Sequence, residues 1–289
     1  MKLKYIVLTA LALTLGATAC SDWNEPEARE PQVNSFKERD PQGYADYTAA
    51  LRRWKQTPHQ ISVALFDNAP EVSVSERDFL RSLPDSLDFV VMRHAARLTK
   101  YDRDDMKLVR TDFGTRVLYR LDCATATPDE WTATAAAVKA GQFDGVVIAS
   151  SAAPDASLLD ALVTAAGSGA TLMFEGSPSV LTGQMVPLFS HFIIDATSAK
   201  DAYDIDMAVR LAALAVDQAS LLLCVAPSGQ ITDHSGVSRN APAGAAVAAM
   251  TASPALAGIA ITDISADYYD ADIIYKRTRG AIQTLNPAQ

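Results

Sequence analysis

The chain has 289 residues, 49% of them hydrophobic, and a formal net charge of −9 from 25 Lys+Arg against 34 Asp+Glu. That is enough apolar material for one large domain or two small ones. The acidic balance argues against nucleic acid as a partner, because phosphate binding needs a basic footprint. Three cysteines without a CxxC, and the scattered His59, His94, His191 and His234, give no metal-ligand pattern and imply no cofactor.

Residues 1–19 read as a secretory leader: Lys2 and Lys4, an apolar run from Tyr5 to Leu15 too short to span a bilayer comfortably, then small residues. Ala17-Thr18-Ala19 before Cys20 resembles a bacterial lipobox. Cys20 is then the lipidation site and mature N-terminus, with an ordinary cleaved leader as the alternative. Membrane attachment would be through the lipid anchor only. Loss of Lys2 and Lys4 takes the net charge from −9 to −11. Residues 20–35, in which SDWNEPEAREPQ follows Cys20, are acidic and contain proline; they predict an extended tether. Residues 36–289 remain as the folded domain.

Residues 36–55 predict a helix ahead of the main pattern. Tyr44, Tyr47, Leu51 and Trp54 recur at three- and four-residue spacing, a stripe expected to pack on the domain. From residue 59 onward, short apolar runs alternate with helix-like stretches. The runs are Ile61–Phe66, Phe89–Met92, Arg116–Leu121, Gly145–Ala149, Ala170–Phe174, His191–Ile194, Leu221–Val225 and Gly258–Thr262. They are near-continuously apolar, as strands buried on both faces must be. One following helix opens with Thr127 as cap, Pro128 in the first turn and the acids Asp129 and Glu130. Another ends at Gly167 and Gly169. A third, over residues 200–219, carries Met207, Leu211, Leu214 and Ala215 on the face expected to pack. Eight strands alternating with helices predict an α/β (β/α)8 TIM barrel, with a doubly wound open sheet as runner-up. FDNAP follows the first strand in place of a glycine-rich phosphate loop, so a dinucleotide fingerprint is absent.

In such a barrel the site lies at the C-terminal ends of the strands. This chain puts Asp67 and Asn68 after the first strand, and Arg93 and His94 after the second. Asp122 and Cys123 close the third, Ser150 and Ser151 the fourth, Glu175 the fifth and Asp195 the sixth. Asp263 follows the eighth, with Tyr268 and Tyr269 beyond. A Ser/His/Asp triad built from Ser150 or Ser151 with His94 lacks the G-x-S-x-G elbow.

Several segments together resemble the Bacteroidetes lipoproteins of glycoside hydrolase family 18, the endo-β-N-acetylglucosaminidase-like group. They are CSDWNEPE, YTAALRRWKQTPHQISVALFDN, SLPDSLDFVVM and the closing YKRTRGAIQTLNPAQ. The resemblance implies a barrel whose fourth strand carries D-G-x-D-x-D-x-E. There the Glu protonates the glycosidic oxygen and the preceding Asp orients the substrate acetamide, a substrate-assisted departure from the two-carboxylate rule. Laid on this chain, the pattern meets Asp144, Gly145, Val147, Ala149 and Ser151, so only Asp144 keeps its acid. A serine hydroxyl is no general acid near neutral pH, and losing proton donation costs roughly 100- to 10,000-fold in rate. Glu175, Asp122 and Asp195 are the carboxylates that would have to substitute.

The expected function is therefore a non-catalytic member that binds an N-glycan or other GlcNAc-containing glycan, or scaffolds outer-membrane glycan-uptake proteins. The ligand-binding candidates are Asp67, Asn68, Arg93, His94, Asp263, Tyr268 and Tyr269. The alternatives are an active glycosidase with relocated acids and a protein-interaction module. The acidic residues after Cys20 resemble a surface-export signal, which implies an outer-membrane lipoprotein exposed at the cell surface, with a periplasm-facing orientation as the alternative.

Overall fold

The computed structural model describes residues 35–68, 73–269 and 272–287. The leader, the lipidation site at Cys20 and the tether up to residue 34 lie outside them. The chain divides into two units, Met1–Asp46 and Tyr47–Gln289. In the first, α1 (Phe36–Arg39) opens on a capping box: Ser35 Oγ accepts from Glu38 N, and the Glu38 carboxylate accepts from Ser35 N at 2.8 Å. Helix α2 (Pro41–Trp54) begins in the first unit and ends in the second.

The second unit is built on eight parallel strands: β1 (Ile61–Phe66), β2 (Phe89–Met92), β3 (Arg116–Asp122), β4 (Gly145–Ala149), β5 (Thr171–Glu175), β6 (His191–Asp195), β7 (Leu221–Val225) and β10 (Gly258–Ile261). They close in the order β1-β10-β7-β6-β5-β4-β3-β2. This is the (β/α)8 TIM barrel that the apolar runs predict, and closure removes the open-sheet alternative. Alternate residues separate into two cores, as the period of a strand requires. Val63, Leu65, Phe89, Val91, Leu118, Val147, Met173, Ile193, Leu222, Cys224 and Ala260 fill the barrel interior. Their neighbours, such as Ala64, Phe66, Val90, Met92, Val117 and Ile148, pack beneath the outer elements. Gly258 is required where β10 meets β1, because a Cβ there would lie 1.9 Å from Ile61 O.

Six helices follow the strands: α3 (Lys100–Leu108), α4 (Pro128–Lys139), α5 (Ala156–Ala166), α6 (Ala202–Ala213), α7 (Ala241–Thr251) and α8 (Lys276–Leu285). Thr127 caps α4 as its sequence predicts, with Oγ accepting from Glu130 N. Two expectations need correction. The connections β1–β2 and β5–β6 hold only short 3₁₀ turns, Glu76–Asp78 and Leu80–Ser82 in the first and Pro178–Val180 and Val186–Leu188 in the second. Pro84 interrupts the first connection, while Pro178, Pro187, Gly176 and Gly183 interrupt the second; proline supplies no backbone donor and glycine disfavours helix. On α6 the packed face is Ala202, Ile205, Val209 and Ala212, whereas Met207 (58%), Leu211 (58%) and Leu214 (85%) are exposed. Both stripes have helical spacing, and the one with small and β-branched side chains lets the helix approach the barrel. After β7 the chain forms a hairpin, β8 (Gln230–Thr232) with β9 (Ser238–Asn240). Its turn is organised by Asp233, which accepts from Ser235 N and Val237 N. Among the described residues no helix is long and apolar enough to cross a membrane.

The N-terminal end of the barrel is closed by a polar network from the end of α2. Thr48 is buried there, Leu51 and Trp54 are half-buried, and Tyr47 donates its hydroxyl to Asp85 Oδ2 at 2.6 Å. Lys55 Nζ donates to Asp85 O at 2.7 Å, to Leu87 O and to Thr115 Oγ1 at 2.8 Å; burial pushes its pKa down to about 8. Asp88 accepts from Ser62 N at 2.8 Å and Ser62 Oγ at 2.9 Å, and pairs with His59 Nε2 at 2.9 Å. Asn286 bonds both backbone groups of Gln60, fastening the end of α8 to the start of β1.

The hydrogen bond to Asp88 raises the His59 pKa above its ordinary 6.5, against the opposing effect of burial. A raised folded value stabilises the protein fully below the unfolded pKa, and the contribution is lost as pH rises through the folded value. The melting-temperature advantage of the native chain over His59→Gln is therefore expected to be larger at about pH 5.5 than at about pH 8.5. An advantage that grows with pH in thermal melts would contradict this.

Candidate functional site

The C-terminal end of the barrel opens into a cavity of about 550 Å³. Its floor is apolar, from Leu65, Ile193 and Cys224, and its rim is polar. The strand parity that fills the interior also decides what reaches this mouth. Two residues beyond Leu118, Val147, Met173 and Ile193 come Arg120, Ala149, Glu175 and Asp195, and all four line the cavity together with Asp122 and Ser151.

Ladder register sets Asp122 beside Ala149, and Ala149 beside Glu175. Arg120 joins the two carboxylates across that gap. Its Nε donates to Glu175 Oε2 at 2.7 Å and Nη2 to Glu175 Oε1 at 2.9 Å, a bidentate pair, while Nη1 donates to Asp122 Oδ2 at 3.3 Å. Burial works against the Arg120 charge, but the Glu175 hydrogen bonds and charge outweigh it and hold the guanidinium above its usual range. Asp122 Oδ1 also accepts from Ala124 N at 3.0 Å. Asp195 closes its own turn, accepting from Thr197 N at 2.9 Å and Thr197 Oγ1 at 2.7 Å. Each carboxylate that could stand in for a missing acid already accepts hydrogen bonds from the protein.

Of the strand-four positions, Val147 is wholly buried in the interior layer, Ala149 lies above it and Ser151 stands at the exposed rim. Asp144 lies at the opposite end of the strand. Its carboxylate accepts from Arg110 Nη2 at 2.7 Å and from Val117 N at 2.8 Å. Ser150 Oγ donates to Ala152 O at 2.7 Å, and His94 pairs with Asp67 at 3.0 Å. Among the described residues, then, no serine–histidine contact exists between these candidates. Burial pushes the Cys224 thiol up to about 12, which removes a thiolate nucleophile.

The seven ligand-binding candidates separate. Arg93 lines the cavity and donates to Asp263 Oδ1 at 3.1 Å, with Asp263 itself outside the lining. Asn68 is buried and ties the ends of β1 and β2 together: His94 N donates to its Oδ1 at 2.9 Å and its Nδ2 donates to His94 O at 3.2 Å. Tyr268 is buried, its hydroxyl donating to Glu76 Oε2 at 2.6 Å, and that bond pushes its pKa up to about 12. Tyr269 is 68% exposed with Arg77 over its ring. Asp67, Asn68, His94, Tyr268 and Tyr269 thus fall outside the cavity, and no aromatic side chain lines it among the described residues. The polar groups that sequence reasoning did not place here are Ser177, Thr197 and Thr262, together with Arg120 as the organising cation. Counting by twos from the interior layer would have found Arg120 and Thr262.

The closed parallel barrel with its site at the strand ends is a (β/α)8 fold. Residues 24–161 match the family model described as glycoside hydrolase family 18, BT1044-like. The chain is similar in fold to a solved selenomethionyl BT1044 bearing a glutamate-to-glutamine substitution: TM-score 0.72, 17% identity, covering 87% of this chain and 95% of that one. It is similar also to the apo endo-β-N-acetylglucosaminidase from Cordyceps militaris, with TM-score 0.59 and 18% identity over 84% and 96% of the two chains. A fungal endo-β-N-acetylglucosaminidase of glycosyl hydrolase family 18 is similar at TM-score 0.53 and 8% identity, over 79% and 99%. No protein of curated function matches by sequence.

The side chains of Arg120 and Glu175 are only 18% and 22% exposed, so removing one partner strands the other. Arg120→Leu is expected to lower unfolding free energy by about 1–3 kcal/mol, with Glu175→Leu added in the same chain recovering part of that loss. Chemical denaturation of the two single variants and the double variant checks this. Additive effects would show that the pair is not coupled.

Proposed function

We propose that this chain is a non-catalytic, glycoside hydrolase family 18-like lipoprotein of the outer membrane that binds GlcNAc-containing glycans, such as N-glycans, for a glycan-uptake system. One observation carries the reading: the inward positions of β4 that the family pattern fills with acids are Val147, Ala149 and Ser151. Without a proton donor the leaving oxygen departs as an alkoxide, which forfeits roughly 100- to 10,000-fold in rate. Without an acidic side chain at Ala149, nothing there orients an acetamide for attack. The bonds from Arg120 to Glu175 and Asp122, and the turn held by Asp195, support the same reading.

The rim would instead offer sugar hydroxyls a set of hydrogen-bonding groups: Ser151, Ser177, Thr262 and the charged Arg93 and Asp195. Without an aromatic platform, affinity rests on those bonds and on the apolar floor, and is expected to be weak. The same lack favours a second reading, in which the barrel scaffolds outer-membrane glycan-uptake proteins and presents rather than grips the glycan. Lipid attachment at Cys20 and surface exposure belong to this proposal, motivated by Ala17-Thr18-Ala19-Cys20 and the acidic residues after it.

The test incubates the full chain with high-mannose and complex N-glycans, following product by mass spectrometry and binding by calorimetry on the same samples. No product is expected, with dissociation constants of roughly 0.1–1 mM that Ser151→Trp, filling the mouth, abolishes. Binding unaffected by Ser151→Trp would move the glycan away from the mouth. Product whose release is lost in Glu175→Gln would overturn the non-catalytic reading and identify Glu175 as the acid.

A further inference from the structure

The end of the barrel opposite the mouth holds a second cavity, of about 560 Å³, between α3 and the starts of β3 and β4. Its chemistry differs from that of the mouth. Helix α3 continues through a π turn, Val109–Phe113, and ends at Gly114 in the left-handed conformation. That run presents Arg103, Lys107 and Arg110, spaced four and three residues apart, toward one face. Arg116, the first residue of β3, adds a fourth cation. The one carboxylate in the lining, Asp144, has both oxygens engaged, one by Arg110 Nη2 and one by Val117 N.

Arg110 belongs to the wall, because it also donates to Gly141 O at 2.9 Å. The other three cations are uncompensated. Arg103 donates only to Thr99 O at 3.3 Å, and Arg116 stacks over the Phe89 ring at 5.3 Å. Among the described residues none of Arg103, Lys107 and Arg116 pairs with a carboxylate. The lining sets four cations against one carboxylate, in a chain whose net charge is −9. Leu98 and the buried Met106 supply an apolar wall beside it.

We infer that this cavity is a binding site for a small organic anion, a phosphate or carboxylate head on a short apolar arm. The volume lies in the range of small-molecule sites. Guanidinium groups fit the planar or tetrahedral oxygens of such heads, and the lysine adds a point charge. The arm would lie against Leu98 and Met106. The site is independent of the glycan reading, since it shares no residue with the mouth.

Calorimetry on the full chain with hexyl phosphate, hexanoate, inorganic phosphate and hexanol tests it. Hexyl phosphate is expected to bind at least about 10-fold more tightly than inorganic phosphate, hexanol not at all, and affinity is expected to fall as salt rises. The hexanoate arm reads which head is preferred: the site admits both, and tighter binding of either over hexanol supports it. Arg103 and Lys107 are both exposed, so the double variant Arg103→Glu/Lys107→Glu should keep its thermal unfolding transition and lose at least about 10-fold in affinity. Lys200→Glu, exposed ahead of α6, should bind as the native chain does. No heat with either anion bearing an apolar arm, equal affinity for hexanol or inorganic phosphate, or undiminished binding in the charge-reversed double variant would each overturn the inference.

Discussion

Closing eight parallel strands leaves an interior that only alternate residues can fill, and that parity governs everything at the mouth. Once Leu118, Val147, Met173 and Ile193 point inward, the residues two and four positions later line the cavity. The chain cannot move an acid into the site from a neighbouring position without slipping a strand, and a slip would expose the apolar set it buries. Val147, Ala149 and Ser151 of the β4 segment therefore occupy specific inward positions. Asp144, one residue before the strand, stands at its other end.

The mouth holds a charge arrangement of its own. Arg120 faces the gap above Ala149 and grips Glu175 with two hydrogen bonds and Asp122 with a third. In a glycosidase the general acid must give up a proton to the leaving oxygen. Here both oxygens of Glu175 are engaged by a half-buried guanidinium. Small side chains on β4 leave room for Arg120, and Arg120 in turn accounts for carboxylates that would otherwise repel one another across that room. The two features fit each other.

Much of the fold was legible because the strands are buried on both faces. Eight apolar runs bounded by Gly, Pro and polar residues located all eight barrel strands to within a residue or so. The outer layer was less legible. On α6 two stripes share helical spacing, and hydrophobicity favoured Met207, Leu211 and Leu214 over the Ala202–Ala212 stripe that packs, because close approach rewards small side chains. The 3₁₀ connections between β1 and β2 and between β5 and β6 were signalled by prolines that the repeating pattern overrode. At the site, the polar residues at the strand ends included Arg93, Glu175, Asp122, Asp195 and Ser151, all of which reach the cavity. Asp67, Asn68, His94, Asp263, Tyr268 and Tyr269 meet the same criterion and lie outside the cavity: Asn68, His94 and Asp263 stand on the outward parity, whereas Asp67 has the inward parity and pairs with His94 instead. The placement of Arg120 was not legible, since a charged residue inside an apolar run carries no sign of which face it occupies.

The central claim is that the mouth accepts a glycan without presenting it to an acid. A crystal structure of the full chain soaked with an intact GlcNAc-containing N-glycan tests it most directly. The account predicts an unbroken glycosidic bond over the cavity, with Arg120 still bonded to both oxygens of Glu175. A Glu175 carboxyl swung away from Arg120 to within hydrogen-bond distance of the glycosidic oxygen, or a cleaved sugar in its place, would contradict it.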